Sequence, residues 1–179
     1  MQEISLNIID LAQNSIAAKA DLIEISVEES HKDDTLTVTI VDNGSGMSQE
    51  QLKSVTDPFY TTRTTRKVGL GVPFFKMAAE MSGGSFEISS EPGKGTRICG
   101  VFGLSHIDRM PLGDINETIS MLIYCNPDID FVYKRRRDEK SFTLDTRELR
   151  KVLQGVALNT NEVILWIKDF LREGEAEIQ

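Results

Sequence analysis

The sequence predicts an α+β fold: an antiparallel sheet with helices on one face, followed by a small α/β C-terminal extension. Two observations predict it. Alternating apolar and polar segments occur in adjacent pairs, and amphipathic helical segments precede and separate these pairs. Successive strands with no helix between them favour antiparallel pairing in a sheet covered on one side. A change of composition predicts a first domain at residues 1–104 and an extension at residues 105–179.

Three helices and two strand pairs are predicted in the first domain. Ile4, Ile8 and Leu11 recur at i, i+4 and i+7, which predicts the opening helix. Ser48 is placed to cap the second helix, and the Gly83-Gly84 pair ends the third. The predicted helices cover residues 2–20, 49–55 and about 70–81, the strands cover 22–28, 35–41, 85–90 and 96–103, and 56–69 is a mobile loop.

The extension is predicted as a helix, a hairpin and two further helices. Asp114 is the expected cap of the first helix, and Asp138-Glu139 is the expected hairpin turn. The basic run Lys134–Arg137 is predicted as a solvated hairpin arm, with a grip on phosphate or nucleic acid as the alternative. The helices cover residues 113–125, 146–154 and 161–173, and the hairpin strands cover 129–136 and 141–145.

Composition excludes several classes of protein. A net charge of −8 argues against a general binder of nucleic acid or of anionic membranes, because both need an excess of Lys and Arg. Cys99 and Cys125 give no disulfide framework and fit a reducing compartment. The first apolar run contains Glu3 and Asp10, unlike a signal peptide, and no segment approaches the ~20 apolar residues of a membrane span. We therefore expect a cytoplasmic protein.

Asp10 and Asn14 form the first candidate pair. They lie four positions apart on the opening helix, so their side chains project from one face. A carboxylate beside an amide oxygen suits Mg²⁺ and an activated water, because Mg²⁺ takes few protein ligands and completes its shell with water and phosphate. Asn14 fits the metal ligand and Asp10 the base. A solvated helix face is the alternative.

Two glycine-containing segments suit a ligand that carries phosphate. Asp42 ends a strand and is followed by Asn-Gly-Ser-Gly, where Gly44 and Gly46 permit a close backbone approach and the carboxylate can accept from an adenine amine. A plain tight turn is the alternative.

Residues 61–67 contain several hydroxyl and cationic side chains and precede Gly69-Leu-Gly71, which opens a helix and offers free N–H groups to an anion. A solvated basic loop is the alternative there.

These segments together resemble the motifs of the GHKL ATPase superfamily, which includes the gyrase B subunit, the large heat-shock chaperone, MutL and the sensor histidine kinases. The resemblance covers about residues 1–103. It implies a Bergerat-type ATP-binding fold, which is a two-layer α/β sandwich with a mixed, mostly antiparallel sheet and helices on one face. Residues 10–20 resemble the N box, 42–47 the first glycine box, 57–63 the F box of histidine kinases, 67–72 the second glycine box and 93–96 the last glycine box.

The resemblance implies a role for each matching position. Asn14 would bind Mg²⁺, Asp42 would read adenine directly, Thr96 would help to hold adenine through water, and Asp10 would be the catalytic base. The implied nucleotide-binding residues are Asn14, Asp42, Gly44, Gly46, Met47, Phe59, Thr61, Thr62, Arg63, Lys67, Gly69, Leu70, Gly71 and Thr96.

Departures from the family pattern shape the expected activity. Asp10 is one methylene shorter than the Glu of hydrolysing members, Lys67 replaces a glycine of the second box, and Ala17 stands where kinases often carry Lys and MutL carries Asp. No phosphoacceptor helix pair precedes the N box, so a stand-alone ATPase domain is expected. Residues 95–133 also resemble the segment through which MutL leaves its ATPase domain.

We therefore expect a Mg²⁺-dependent, ATP-binding regulatory protein that hydrolyses ATP or transfers its γ-phosphate with a protein partner or protein substrate. A nucleotide-gated interaction module with little turnover is one alternative. An anti-sigma-type serine kinase is another, although the F box is closer to that of sensor kinases. A DNA-repair ATPase is disfavoured by charge and length. We expect no membrane or nucleic-acid partner, and the sequence is compatible with a homodimer.

Overall fold

A computed structural model describes residues 2–57 and 69–179. The helices are α1 (Ile4–Ala17), α2 (Gln49–Thr56), α3 (Gly71–Met81), α4 (Ile115–Cys125), α5 (Thr146–Leu153) and α6 (Asn161–Ile178). The strands are β1 (Leu22–Ser30), β2 (Thr35–Asp42), β3 (Ser85–Glu91), β4 (Gly95–Gly103), β5 (Asp130–Arg137) and β6 (Lys140–Asp145). The predicted α+β architecture is confirmed.

All six strands form one sheet in the order β3-β4-β2-β1-β5-β6. Every pair is antiparallel except β1 and β5, which run parallel. Helices α2, α3, α1, α4 and α6 are successive neighbours over one face of the sheet. The core lies between the two layers, where Ile23, Ile25 and Val27 of β1 are buried and alternate with more exposed residues on the other face.

The predicted caps are confirmed. The Ser48 hydroxyl accepts from the Gln51 backbone N–H, and the Gln51 side chain returns a bond to the Ser48 N–H, so α2 begins with a full capping box. The Asp114 carboxylate accepts from the Glu117 N–H at the start of α4. Gly83 follows α3 with φ +74°, a conformation that favours glycine.

Helix α6 runs five residues beyond its predicted end. The predicted end lies just before Gly174, and glycine weakens a helix in isolation. Here Gly174 is buried, and a Cβ at this position would lie only 2.7 Å from the Phe142 ring. The glycine therefore allows α6 to pack closely on β6, and tertiary packing overrides the local preference.

The hairpin of the extension continues the sheet of the first domain. β5 pairs with β1 along its whole length, from Leu22 opposite Asp130 to Glu29 opposite Arg137. The backbone N–H of Asp130 also bonds to the Asp21 carbonyl. The sheet is thus one continuous unit across residue 104, where the composition changes.

The expected solvated arm at residues 134–137 is wrong for Arg135. Its side chain is only 2% exposed and lies between the carboxylates of Glu29 on β1 and Glu175 on α6. Burial lowers the pKa of Arg135, but the two carboxylates raise it by more, so the guanidinium stays charged. The run alternates along β5, so Lys134 and Arg136 face solvent while Arg135 faces the helices.

The part of the chain that the structure describes has no helix long and apolar enough to cross a membrane.

Candidate functional site

A cleft of about 310 Å³ lies between α1, α2, the start of α3 and the ends of β2 and β4. It contains six of the sequence-predicted site residues, which are Asn14, Asp42, Gly46, Met47, Gly69 and Thr96. Leu11, Val55, Val72 and Ile98 supply an apolar wall. A flat aromatic group with one polar edge suits such a lining, because apolar walls bury the faces while a few polar atoms fix the orientation.

Asp42 is the best-defined polar group in this cleft. Its side chain is buried, at 8% exposure. The Ser15 hydroxyl donates to Oδ2 at 2.6 Å, and the Gly44 N–H donates to Oδ1 at 2.9 Å. These bonds use two of roughly four acceptor sites on the carboxylate. The carboxylate is therefore held in one orientation and can still accept from a ligand.

Ser90 organises the neighbouring wall. Its Oγ lies 2.9 Å from both the Gly95 carbonyl and the Thr96 hydroxyl, and it accepts from the Met47 N–H at 2.8 Å. Thr96 also stands opposite Asp42 in the β2–β4 register. The first and last glycine boxes are thus tied together beside the buried carboxylate.

Two glycines allow the backbones of these boxes to touch. Gly46 has φ +66°, and a Cβ there would lie 1.9 Å from the Glu91 carbonyl oxygen. Gly95 has φ +99°, and a Cβ there would lie 1.9 Å from the Asp42 carbonyl oxygen. Both the conformation and the space require glycine, so the motif glycines have a packing role that is independent of any ligand.

The described part of the second glycine box, residues 69–72, lies against Asp10 and Asn14. A Cβ on Gly71 would approach the Asp10 Cβ to 2.9 Å, and a Cβ on Gly69 would lie 3.9 Å from the Asn14 Oδ1. Asp10 and Asn14 are both exposed on α1. Asn14 lines the cleft, whereas Asp10 and Gly71 do not line it and lie against each other at the start of α3.

The donor set fits Mg²⁺ held chiefly by a nucleotide. Within residues 2–57 and 69–179, no group of three His, Cys, Asp or Glu side chains could hold a metal by itself. Mg²⁺ is commonly bound by one or two protein oxygens together with substrate phosphates and waters. The exposed amide oxygen of Asn14, at the mouth of the cleft, meets that requirement.

The remaining predicted residues are distributed as follows. Leu70 precedes α3 and is exposed outside the cleft, and Gly44 contributes its N–H to Asp42. Phe59, Thr61, Thr62, Arg63 and Lys67 lie outside the described residues.

Ser15 and Ser90 are site residues that the sequence reasoning missed. Ser15 carried a usable signal, because it continues the apolar stripe of Ile4, Ile8 and Leu11 at i+11 and is a polar residue on a buried face. Ser90 had no comparable signal, since its partners are set by strand pairing.

The fold and the cleft define a single-sheet nucleotide-binding domain in which glycine turns enclose a buried carboxylate. The family of histidine kinase-, DNA gyrase B- and HSP90-like ATPases matches residues 1–105, and the chain belongs to this family. Membership supports ATP binding by the chain.

Curated relatives are sensor proteins. The chain is 37% identical to sensor protein SrrB of Staphylococcus aureus over 101 residues, which cover 54% of this chain and 17% of SrrB. It is 34% identical to a sensor protein of Shewanella frigidimarina over 109 residues, 60% of this chain and 17% of that protein. The matched part therefore spans about one sixth of these relatives.

A solved structure supports the fold. The N-terminal domain of a DNA repair protein superposes with a TM-score of 0.54 at 15% identity, covering 81% of this chain and 53% of that one. Because residues 1–105 make up a smaller share of this chain than 81%, the superposition reaches into the extension. At this identity the likeness concerns the fold alone.

Proposed function

We propose that this chain binds Mg-ATP in the cleft and, together with a protein partner, hydrolyses ATP or transfers its γ-phosphate in a regulatory role. The observation that carries the proposal is the buried Asp42 carboxylate, which Ser15 and Gly44 hold at the cleft wall. An adenine ring against Val72 and Ile98 would present its amine to this carboxylate. The family and the sensor relatives support the same reading.

Asn14 and Asp10 take the roles nearest the phosphates in this proposal. Asn14 would hold Mg²⁺ through its amide oxygen, and the ion would neutralise charge on the phosphate oxygens. Asp10 would accept a proton from the attacking water or hydroxyl group. Gly69 and the first turn of α3 would offer backbone N–H groups to the phosphates.

A change of base preference tests the Asp42 assignment. Asp42→Asn keeps the shape of the side chain but replaces an acceptor with an amide donor. We expect calorimetry to show at least about a tenfold loss of ATP affinity and a smaller preference for ATP over GTP, because guanine carries an acceptor where adenine carries its amine. Glu87→Gln, an exposed carboxylate on β3, is the matched control and should leave both unchanged. An Asp42→Asn variant that binds and discriminates like the parent would refute the assignment.

Two variants on α1 test the phosphate end. Asn14→Ala should remove the Mg²⁺ dependence of ATP affinity, whereas Gln13→Ala, an exposed amide one residue earlier, should retain it. Asp10→Asn should bind ATP normally but turn over more than ~10²-fold more slowly, in hydrolysis or in transfer of labelled phosphate to a protein in cell extract. Equal turnover rates would assign the base elsewhere.

One observation favours a second candidate, a nucleotide-gated interaction module with little turnover. Asn43, next to Asp42, accepts from the backbone N–H groups of Asp21 and Leu22, both at 3.0 Å. The Asp21 carbonyl in turn accepts from the Asp130 N–H at the start of β5. The first glycine box is thus connected to the extension, and nucleotide binding could be sensed there. Negligible turnover with partner present, combined with ATP-dependent partner binding, would favour this candidate.

A further inference from the structure

One flank of α6 borders the β6 edge of the sheet. β6 ends the strand order and, within the described residues, pairs only with β5, so alternate residues of β6 point their N–H and C=O groups away from the sheet. α6 packs on β6 where Gly174 and Phe170 meet the Phe142 ring. Lys168, on the other flank of α6, pairs with Glu117 of α4. The flank of α6 that faces away from α4 therefore lies beside the unpaired backbone of β6.

Five side chains of α6 share this flank, and we call them the α6 ledge. The ledge consists of Glu162, Trp166, Phe170, Glu173 and Glu177. They occur at i, i+4, i+8, i+11 and i+15, which places them within about 80° around the helix. Trp166 is half exposed and stacks on the partly buried Phe170, with ring centroids 5.3 Å apart and an interplanar angle of 18°. A stacked aromatic pair beside an unpaired strand offers apolar surface to a partner.

The three carboxylates of the α6 ledge indicate the charge of that partner. All three are exposed, and none forms an ion pair within residues 2–57 and 69–179, not even with Lys140 at the start of β6. The other charged side chains of α6 are each paired, and these are Lys168, Asp169, Arg172 and Glu175. A cationic partner complements this flank, because opposite charges across an interface steer and orient binding.

The repeat of the α6 ledge matches the repeat of an extended strand. Residues four apart on a helix lie about 6 Å apart along its axis, and alternate residues of a strand lie about 6.6 Å apart. A strand added to β6 can therefore place successive side chains of one face against Glu162, Trp166 and Phe170, and a fourth beside the last two carboxylates. Its other face would lie beside the exposed hydroxyls of Ser141 and Thr143.

We propose that the β6 edge and the α6 ledge together bind an extended segment of a partner protein as an additional strand. At alternate positions of that segment, two cationic residues flank two apolar ones. The edge selects an extended backbone, Trp166 and Phe170 select the apolar residues, and the carboxylates select the cations. A second copy of this chain is a poorer occupant, since the chain carries a net charge of −8. This surface is separate from the nucleotide cleft, which lies at the ends of β2 and β4.

The chain has a single tryptophan, so its intrinsic fluorescence reports on the α6 ledge alone. The probe is the peptide Lys-Thr-Leu-Thr-Leu-Thr-Lys with blocked ends, and the control peptide carries Glu in place of both lysines. We expect the probe to change the tryptophan emission saturably, with a dissociation constant of roughly 100 µM, and the control to bind at least about tenfold more weakly. A probe that binds no better than its acidic control would overturn the proposal.

Two neighbouring residues of α6 locate the binding. In calorimetry, Trp166→Ala should weaken binding of the probe at least about tenfold. Leu165→Ala, at an exposed residue on another side of α6, should leave it unchanged. Both side chains are largely on the surface, and unchanged thermal melts will show that the variants fold. Equal affinity of the two variants would place the peptide elsewhere and refute the ledge.

A matched pair of double variants tests the charges. Glu162→Gln with Glu173→Gln should weaken binding of the probe about fivefold and reduce its salt dependence. Glu87→Gln with Glu91→Gln removes the same charge from β3, the opposite edge strand, and should change neither. Equal losses in both double variants would mean that the probe responds only to net charge, which would contradict the proposal.

A backbone test separates strand addition from a side-chain contact. N-methylation of the three central residues of the probe removes their N–H donors at both edges, and should weaken binding at least about tenfold. Full affinity of the methylated probe would rule out pairing with β6. Sedimentation of the full chain tests the other occupant: a dimer that Trp166→Ala dissociates would show that a second copy fills the ledge, and would overturn the proposal.

Discussion

Gly46 and Gly93 allow the packing of the first glycine box to be measured separately from its backbone conformation. Both residues have positive φ, +66° and +76° respectively. A Cβ on Gly46 would meet the Glu91 carbonyl oxygen at 1.9 Å, whereas a Cβ on Gly93 would meet nothing within 4 Å. Alanine at each position therefore imposes a similar conformational cost, and only Gly46→Ala also forces two backbones apart.

The expected magnitudes follow from these distances. An L-residue in the left-handed region costs roughly 1–2 kcal/mol, which should be the whole effect of Gly93→Ala. A 1.9 Å contact with a backbone oxygen cannot be relieved by a rotamer change. Overpacking of a dense site costs roughly 1–3 kcal/mol more. Gly46→Ala should therefore lower the free energy of unfolding by about 2–5 kcal/mol.

Urea denaturation of the two variants, followed by ATP calorimetry, tests this reasoning. Gly93→Ala should bind ATP like the parent, since its bond from the Gly93 N–H to the Ser45 carbonyl at 2.7 Å survives the change. Gly46→Ala should lose most of its ATP affinity, because the turn that carries Asp42 must move. Equal destabilisation by both changes would show that the close approach at Gly46 contributes nothing, and the reasoning would fail.

Three further predictions concern Ser15, Arg135 and Asp145. Ser15→Ala removes a hydrogen bond to a buried carboxylate and should weaken ATP binding about tenfold in calorimetry, with a stability loss of roughly 1–3 kcal/mol. Arg135→Met leaves the largely buried carboxylate of Glu175 without its cation and leaves Glu29 with only Arg137, whose Nε lies 3.7 Å away. The change should cost about 3–5 kcal/mol in urea denaturation, while Arg136→Met on the solvent side should cost under about 1 kcal/mol. Asp145 caps α5, and the hydrogen bond that its carboxylate accepts from the Arg147 side chain lowers its pKa. Its contribution is therefore present above the usual carboxyl pKa of about 4 and is lost as the pH falls through the lowered folded value. When the free energy of unfolding is measured against pH, Asp145→Asn should show a smaller loss of stability than the parent as the pH falls below about 4.

Local signals in the sequence predicted much of the fold because each depends on residues within one turn or one strand. The N-caps of α2 and α4 and the alternation of β1 and β2 are of this kind, and the structure confirms them. The end of α6 was mispredicted at Gly174, where contact with Phe142 decides the outcome. Nothing in the sequence around Gly174 indicates that contact, because Phe142 lies on a different element.

In the candidate site, too, the residues set by local sequence were predicted and those set by long-range packing were not. Asp42 and its glycines were predicted because the turn itself requires them, and the structure brings the glycine boxes to one cleft. Ser90 could not be predicted, since Met47 lies far from it along the chain and Gly95 and Thr96 reach it only through the register of the β3–β4 hairpin. Arg135 belongs to the same class, because its carboxylates lie on β1 and α6.

The extension supports the strand next to the cleft, and this leads to the last prediction. β1 lies between β2, which carries Asp42, and β5. Removing residues 106–179 would leave β1 as an edge strand with a free row of N–H and C=O groups, and it would uncover the α1 surface that packs on α4.

A fragment of residues 1–105, which contains the whole family match, should therefore unfold at far lower urea than the full chain and bind ATP weakly. The cleft needs Asp42 fixed between α1 and β4, and β1 holds β2 in place through its pairing from Ile23 to Ser30. Urea denaturation and ATP calorimetry of the fragment beside the full chain measure both effects. A fragment that melts cooperatively with the parent's midpoint and affinity would show that the glycine-box cleft is stable without β5, and that the continuous sheet is not needed to form it.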